Sequence, residues 1–140
     1  MNKKEISNDE FEEAVKGKSK YYSDKKFVEK AKKFGTSIGF KALHSAVVLF
    51  YTLKDPNLPQ QDRMIILGAL GYLILPVDLI PDFIPVVGFT DDIAVIVAAL
   101  GKVINSVSEE SKVKAHQQLK AWFKDAYPYN EDEGFVVEVD

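Results

Sequence analysis

The chain has 140 residues, of which 46% are hydrophobic and 28% charged, and its formal net charge is −3. This length is typical of one domain, and a chain of about 150 residues buries roughly 68–70% of its unfolded surface, so it can fold without disulfide or metal cross-links. The lack of cysteine excludes disulfides, a cysteine nucleophile, thiolate-ligated zinc and iron–sulfur clusters.

Capping residues predict the first two helices. Ser7 with Glu10 three residues later is a capping-box pattern, which predicts a short helix to about Lys16. Ser23 is the predicted N-cap of the second helix, whose apolar residues recur at helical spacing as far as Phe34. The segment between these two helices is expected to be a loop.

The middle of the chain predicts a third helix with a clear end. Gly35 and Thr36 are expected to interrupt or bend the second helix, and the apolar pattern resumes at Ser37 and continues to Leu53. Residues 55–59 read DPNLP, which is typical of a break because proline disfavours helical geometry in the residue before it.

Two strongly apolar helices are expected next, near residues 60–75 and 91–107. Gly68 and Gly71 in the first of them predict a surface that another helix can approach closely. Both apolar stretches fall short of the roughly 20 residues that span a bilayer. Two buried core helices therefore fit better than a shallow hairpin dipped into one leaflet.

Ser108 is the predicted start of the last helix, whose apolar stripe includes His116. His44 lies on the third helix and could approach His116. A single histidine on an apolar stripe is usually a core or boundary residue, and we interpret both histidines in this way rather than as metal ligands or proton carriers.

The predicted fold class is all-α, a single bundle of four to five helices. The helices near 60–75 and 91–107 are expected to form a central apolar hairpin joined by a loop rich in proline and aspartate. We expect residues 1–20 to be an N-terminal extension with a short helix, residues 21–126 to be the helical domain, and residues 127–140 to be an acidic, flexible tail.

The charge is distributed unevenly along the chain. Residues 16–33 contain eight lysines opposed by Asp24 and Glu29, a net charge of +6, whereas the chain from Asp125 onward carries six acidic residues and no basic one. The lysines are Lys16, Lys18, Lys20, Lys25, Lys26, Lys30, Lys32 and Lys33. Such a basic patch is either an ordinary solvated surface or a site for anionic lipid. Nucleic acid is disfavoured because the patch has no arginine for bidentate recognition.

Residues 72–92 contain the most unusual pattern, YLILPVDLIPDFIPVVGFTDD. Its four aspartates are Asp78, Asp82, Asp91 and Asp92, and its structural positions are Pro76, Pro81, Pro85 and Gly88. Buried carboxylates are unfavourable unless they are paired, capping or metal-bound. Three roles stay open: helix and turn capping, which we favour; binding of a hard cation such as calcium or magnesium; and acid–base catalysis by a close pair. The spacing does not fit an EF-hand loop.

The same residues resemble a known family. The pattern PxDLIPDxIPxxGxxDD is similar to the motif of the YkvA-like family, a bacterial family of unknown function, and the resemblance extends over about residues 21–123. Outside the motif it rests on Tyr22-Ser23, Lys26-Phe27, on residues 51–56 (YTLKDP) and on residues 121–123 (AWF). The resemblance implies a small helical protein, often described as membrane-associated, with no established activity, cofactor or substrate.

These observations favour a non-catalytic helical module without a cofactor, whose partner is another protein or an anionic membrane surface. The alternative is a divalent-metal-dependent enzyme or cation-binding protein that uses the four motif aspartates. The N-terminal residues lack the apolar stretch of a signal peptide, so we expect an intracellular protein, either cytoplasmic or peripheral at the inner face of the membrane.

Overall fold

The structure, a computed structural model, describes residues 6–74 and 92–137. Within these two ranges it contains six α-helices, four short 3₁₀ turns and no strand. The helices are α1 (Asn8–Val15), α2 (Asp24–Ile38), α3 (Phe40–Leu53), α4 (Gln60–Ile74), α5 (Asp92–Lys102) and α6 (Glu109–Phe123). The predicted all-α bundle is confirmed, with one or two more α-helices than the four to five expected.

Serine caps begin three of the helices where they were predicted. The Ser7 hydroxyl accepts a hydrogen bond from the Glu10 amide at 3.0 Å, and the Glu10 carboxylate accepts one from the Ser7 amide at 2.8 Å, which completes the capping box. Ser23 accepts from the amide three residues later at 3.1 Å. Ser108 does the same for α6 at 3.0 Å. Each cap satisfies an amide that has no partner inside its helix.

The boundary between α2 and α3 lies a few residues later than predicted. Helix α2 continues through Gly35 and Thr36 to Ile38, so of the two predicted alternatives, an interruption or a bend, the interruption is wrong. The chain breaks at Gly39, whose φ of +92° lies in the left-handed region that glycine adopts without a steric penalty. The break thus lies four residues after Gly35, at a glycine that the sequence analysis did not single out.

The core is built around α3, which is buried along its middle from Ala42 to Leu49. Helices α2, α4, α5 and α6 all pack against it. A helix that is apolar on every side is expected to lie inside the bundle, because no face of it prefers water. The predicted apolar pair, α4 and α5, pack against each other and against α3, while residues 75–91 that join them lie outside the described residues.

The N-terminal residues pack closely against α4. Phe11 of α1 is buried in the common core, and Gly68 and Gly71 of α4 face the end of α1 and the turn that follows it. A Cβ atom at Gly71 would lie 1.9 Å from the carbonyl oxygen of Lys18. The predicted close approach is therefore present: helix α1 contacts Gly68 through Val15, and the backbone of the turn that follows α1 contacts Gly71.

Removal of the α6 cap is expected to destabilise the fold. Replacing Ser108 with alanine leaves the Ser111 amide without its acceptor and is expected to reduce the free energy of unfolding by about 0.5–2 kcal/mol. Urea denaturation followed by circular dichroism measures this change. Ser108→Asn is the matched control, because asparagine caps nearly as well as serine. An asparagine variant as unstable as the alanine variant would contradict a capping role.

Candidate functional site

Two features of the described residues have the chemistry of a functional site. The first is the lysine patch of residues 16–33, and the second is a buried pair of histidines beside the C-terminal segment (residues 127–137). Asp78, Asp82 and Asp91, with Pro76, Pro81, Pro85 and Gly88, lie outside the described residues, and Asp92 is described only as the first residue of α5.

The lysine patch begins at the end of α1 and continues along α2. Phe27 and Ala31 bury one side of α2 in the core. Lys16, Lys20, Lys25, Lys26, Lys32 and Lys33 are exposed, and Lys18 and Lys30 are half-buried. The predicted basic residues thus lie largely on the solvent side of an amphipathic helix and the turn before it.

Asp24, one of the two acidic residues in the patch, accepts hydrogen bonds from two side chains. The Lys54 ammonium at the end of α3 and the Tyr22 hydroxyl both donate hydrogen bonds to its carboxylate. The hydrogen bond from Lys54, followed by that from Tyr22, holds the pKa of Asp24 below its usual range. Burial is the main cause that raises the pKa of the Tyr22 phenol, so this hydroxyl stays protonated and donates.

His44 of α3 and His116 of α6 stack face to face. Their ring centroids lie 3.7 Å apart with an interplanar angle of 18°, and their exposed fractions are 0% and 1%. The expectation that these residues approach each other and belong to the core is therefore confirmed. Each histidine belongs to the buried side of its helix, so the packing of α3 against α6 brings the two rings together.

Hydrogen bonds determine the tautomer of His116. Its Nε2 lies 2.8 Å from the carbonyl oxygen of Gly134, which can only accept, so Nε2 carries the hydrogen. Its Nδ1 lies 2.6 Å from the Tyr127 hydroxyl and accepts from it when the imidazole is neutral. Burial is the main cause that raises the pKa of Tyr127, which keeps this phenol protonated as a donor.

His44 is only partly satisfied. Its Nε2 lies 3.2 Å from the Lys112 carbonyl oxygen and donates to it, whereas its Nδ1 is buried with no hydrogen-bond partner. Burial, followed by the nearby His116, lowers the pKa of His44 to about 4, and the hydrogen bond to the Lys112 carbonyl acts in the opposite direction. His44 is therefore neutral at physiological pH.

The C-terminal segment packs beside the histidine pair and contacts His116. Tyr127 is buried, and Tyr129, Phe135 and Val137 pack against the core. On α6, Lys120 donates to the Tyr127 carbonyl oxygen at 3.1 Å, and the Lys112 ammonium lies 4.4 Å from the centroid of the Phe135 ring. Part of the region for which we expected a flexible tail thus lies against the bundle. Sequence reasoning missed Tyr127 and Gly134, and the aromatic residues among the acidic ones were the available signal.

In the described part of the chain, no group of three or more histidine, aspartate or glutamate side chains lies close enough together to hold a metal ion. No helix in residues 6–74 and 92–137 is long and apolar enough to cross a membrane. Asp78, Asp82 and Asp91 of the motif lie outside the described residues.

Comparison with known proteins gives one match. A family model described as "Protein of unknown function (DUF1232)" matches residues 62–98. No curated protein and no solved structure matches the chain. The matched range covers most of α4, the start of α5 and the whole aspartate–proline motif between them. The chain is therefore similar to this family at its apolar helix pair, and the family description names no activity.

Proposed function

We propose that this protein is a non-catalytic helical module that binds the anionic surface of a membrane through its lysine patch. The observation that carries the proposal is the arrangement of α2, which buries Phe27 and Ala31 while Lys25, Lys26 and Lys32 stay exposed. The expected location is the inner face of the membrane, where anionic lipids are concentrated.

Helix geometry supports a single basic face. At 100° per residue, positions 25, 26, 29, 32 and 33 fall within an arc of about 120°, and positions 27 and 31 lie on the opposite side. Four of these five exposed positions are lysines and the fifth is Glu29. Because Lys54 compensates Asp24, Glu29 is the remaining acidic residue in the patch. The face therefore presents a concentrated positive charge to a planar anionic surface.

The chemistry of the patch favours lipid headgroups over nucleic acid. Lysine ammonium groups act as strongly hydrated point charges that suit a disordered layer of phosphates and carboxylates. Base and phosphate recognition in nucleic acids relies heavily on the planar fork of arginine, which residues 16–33 lack. Each lysine near an anionic membrane contributes about 1 kcal/mol at physiological salt.

We also infer that the matched family of unknown function is the YkvA-like family that the motif resembles. The inference is supported by the matched range, because residues 62–98 include every position of the motif from Leu75 to Asp92. The membrane association that this resemblance implies agrees with the charge of α2.

Liposome co-sedimentation tests the proposed membrane binding. The full chain is expected to bind vesicles that contain phosphatidylserine, to bind neutral vesicles much less, and to dissociate as salt rises, because salt screens exposed charges. A Lys25→Ala, Lys32→Ala double variant is expected to bind about 30-fold more weakly, since two contacts of about 1 kcal/mol are lost.

The matched control removes the same charge from another exposed surface. Lys114 and Lys124 are exposed on and just after α6, so a Lys114→Ala, Lys124→Ala variant has the same net charge as the α2 variant. It is expected to bind like the wild-type protein. Equal weakening by both variants would show that total charge rather than α2 governs binding. Undiminished binding to neutral vesicles would point to insertion of apolar residues instead.

A further inference from the structure

We propose that the C-terminal segment (residues 127–137) is an acid-released latch: it stays docked while His44, stacked on His116, is neutral, and protonation of His44 releases it. The latch would give the protein a second conformation at acidic pH, with the aromatic rings around Tyr127 uncovered. The proposal is independent of the lysine patch and of membrane binding.

The stacked geometry makes protonation of the docked state unfavourable. The two ring centroids are 3.7 Å apart and both side chains are almost completely buried, so two imidazolium charges would repel each other without solvent screening. No carboxylate in the described part of the chain bonds to either ring. A charge on the pair therefore has no anionic partner in the docked state.

The hydrogen bonds lead to the same conclusion. A second proton on His44 would sit on Nδ1, which is buried without an acceptor. On His116 the second proton would have to be donated to the Tyr127 oxygen, in the reverse direction of the present bond, and the Tyr127 hydroxyl hydrogen would need another acceptor. Neutral rings satisfy these contacts better than charged ones.

The surrounding charges do not compensate a proton on the pair. Helix α6 contributes Lys112, whose ammonium is paired with the Glu109 carboxylate at 2.8 Å, and Lys120, which donates to the Tyr127 carbonyl oxygen. On α3, the Tyr51 hydroxyl donates to Gln118. On the segment itself, Tyr129 and Glu133 lie near Tyr127, and the Glu133 carboxylate accepts from the Asn130 amide. From α2, α4 and α5, which also pack against α3, no described charged side chain bonds to either histidine.

Displacing the C-terminal segment exposes the two histidines with a smaller loss of buried contacts than separating α3 from α6. Helices α3 and α6 contribute many core residues, so separating them would open the bundle. The segment contributes one fully buried side chain, Tyr127, and its other apolar residues are half-buried. Undocking removes Tyr127 and Gly134 from His116 and lets water reach the rings.

Hydrogen–deuterium exchange on the full chain tests the latch. The pKa of His44 is about 4 in the docked state and takes its ordinary value of 6.5 in the released state. Linkage therefore predicts that the equilibrium ratio of released to docked protein rises about 30-fold between pH 7.5 and pH 5. After correction for intrinsic exchange rates, amides 127–137 are expected to lose protection by about this factor. Amides in the middle of α3 exchange only when the bundle opens, so they are expected to stay much better protected than the segment at both pH values.

Two variants distinguish a pH effect caused by the histidines from one caused by acidic residues of the segment. His44→Leu removes the titrating ring with similar volume, and the Lys112 carbonyl keeps its helical bond, so the pH effect is expected to fall below threefold. Glu133→Gln keeps a side-chain acceptor for Asn130 and removes the carboxylate, and it is expected to retain the full effect. If Glu133→Gln abolishes the effect, a carboxylate controls the segment and the proposal is wrong.

Proton NMR of the wild-type imidazoles provides a test that does not depend on any variant folding. The His44 Cε1 proton is expected to change its shift together with the loss of protection in residues 127–137. Titration of His44 at its ordinary pKa while the segment stays protected would overturn the proposal. A segment equally protected at pH 7.5 and pH 5 would do the same.

Discussion

Replacing Gly71 with alanine is expected to lower the free energy of unfolding by about 2–3 kcal/mol, in spite of the better helix propensity of alanine. The added Cβ would lie 1.9 Å from the Lys18 carbonyl oxygen, a distance that requires the backbone of residues 18–21 or α4 itself to move. A change of this size corresponds to a decrease in Tm of roughly 5–10 °C for a chain of this length. Thermal and urea denaturation measure it directly.

Gly68→Ala is the matched control for this prediction. It makes the same substitution one turn earlier in the same helix, where the new Cβ would lie 3.2 Å from the Cβ of Val15. Val15 is a half-buried side chain in the last position of the short helix α1, so it can shift by a few tenths of an ångström. We expect Gly68→Ala to remain within about 1 kcal/mol of the wild-type protein. Equal stability of the two variants would contradict the close packing at residues 18–21.

The difference between these two glycines shows what the sequence could predict. Small residues at helical spacing indicated a close approach, and the structure confirms it. The partner could not be identified in the same way, because a turn that packs through its backbone carbonyl has no characteristic side chain. The serine caps at positions 7, 23 and 108 were predictable since each depends on residues only three positions apart.

The contacts within the histidine cluster could not be predicted from the sequence. His44 and His116 were both recognised as helix residues that could meet, but their stacking depends on how α3 packs against α6, across 72 positions of sequence. Tyr127 was harder to predict, because five of the thirteen residues after it are acidic and none is basic, which drew the interpretation of this region to its charge. Its partners are a ring nitrogen, a lysine and aromatic rings of the bundle, contacts that composition does not reveal.

Acidification from pH 7 to pH 4 is expected to reduce the free energy of unfolding, with a contribution from His44 of about 3 kcal/mol. The pKa of His44 is lowered to about 4 in the folded protein and is 6.5 when the residue is exposed. Between these values the unfolded chain binds more protons than the folded one, so stability falls as the pH decreases. Above pH 6.5 this contribution is complete and constant, and below pH 4 it is lost. One pKa unit corresponds to about 1.4 kcal/mol.

The measurement is the difference in urea unfolding free energy between wild-type protein and His44→Leu across this pH range. Acidic residues such as Asp24 are present in both proteins, so their contributions cancel in the difference. The His44 contribution of about 3 kcal/mol is an upper bound, because undocking of residues 127–137 would hydrate the ring before the bundle unfolds. A smaller difference accompanied by early loss of protection in this segment would therefore support the latch. A difference of zero with the segment still docked would show that burial of His44 does not disfavour its charge.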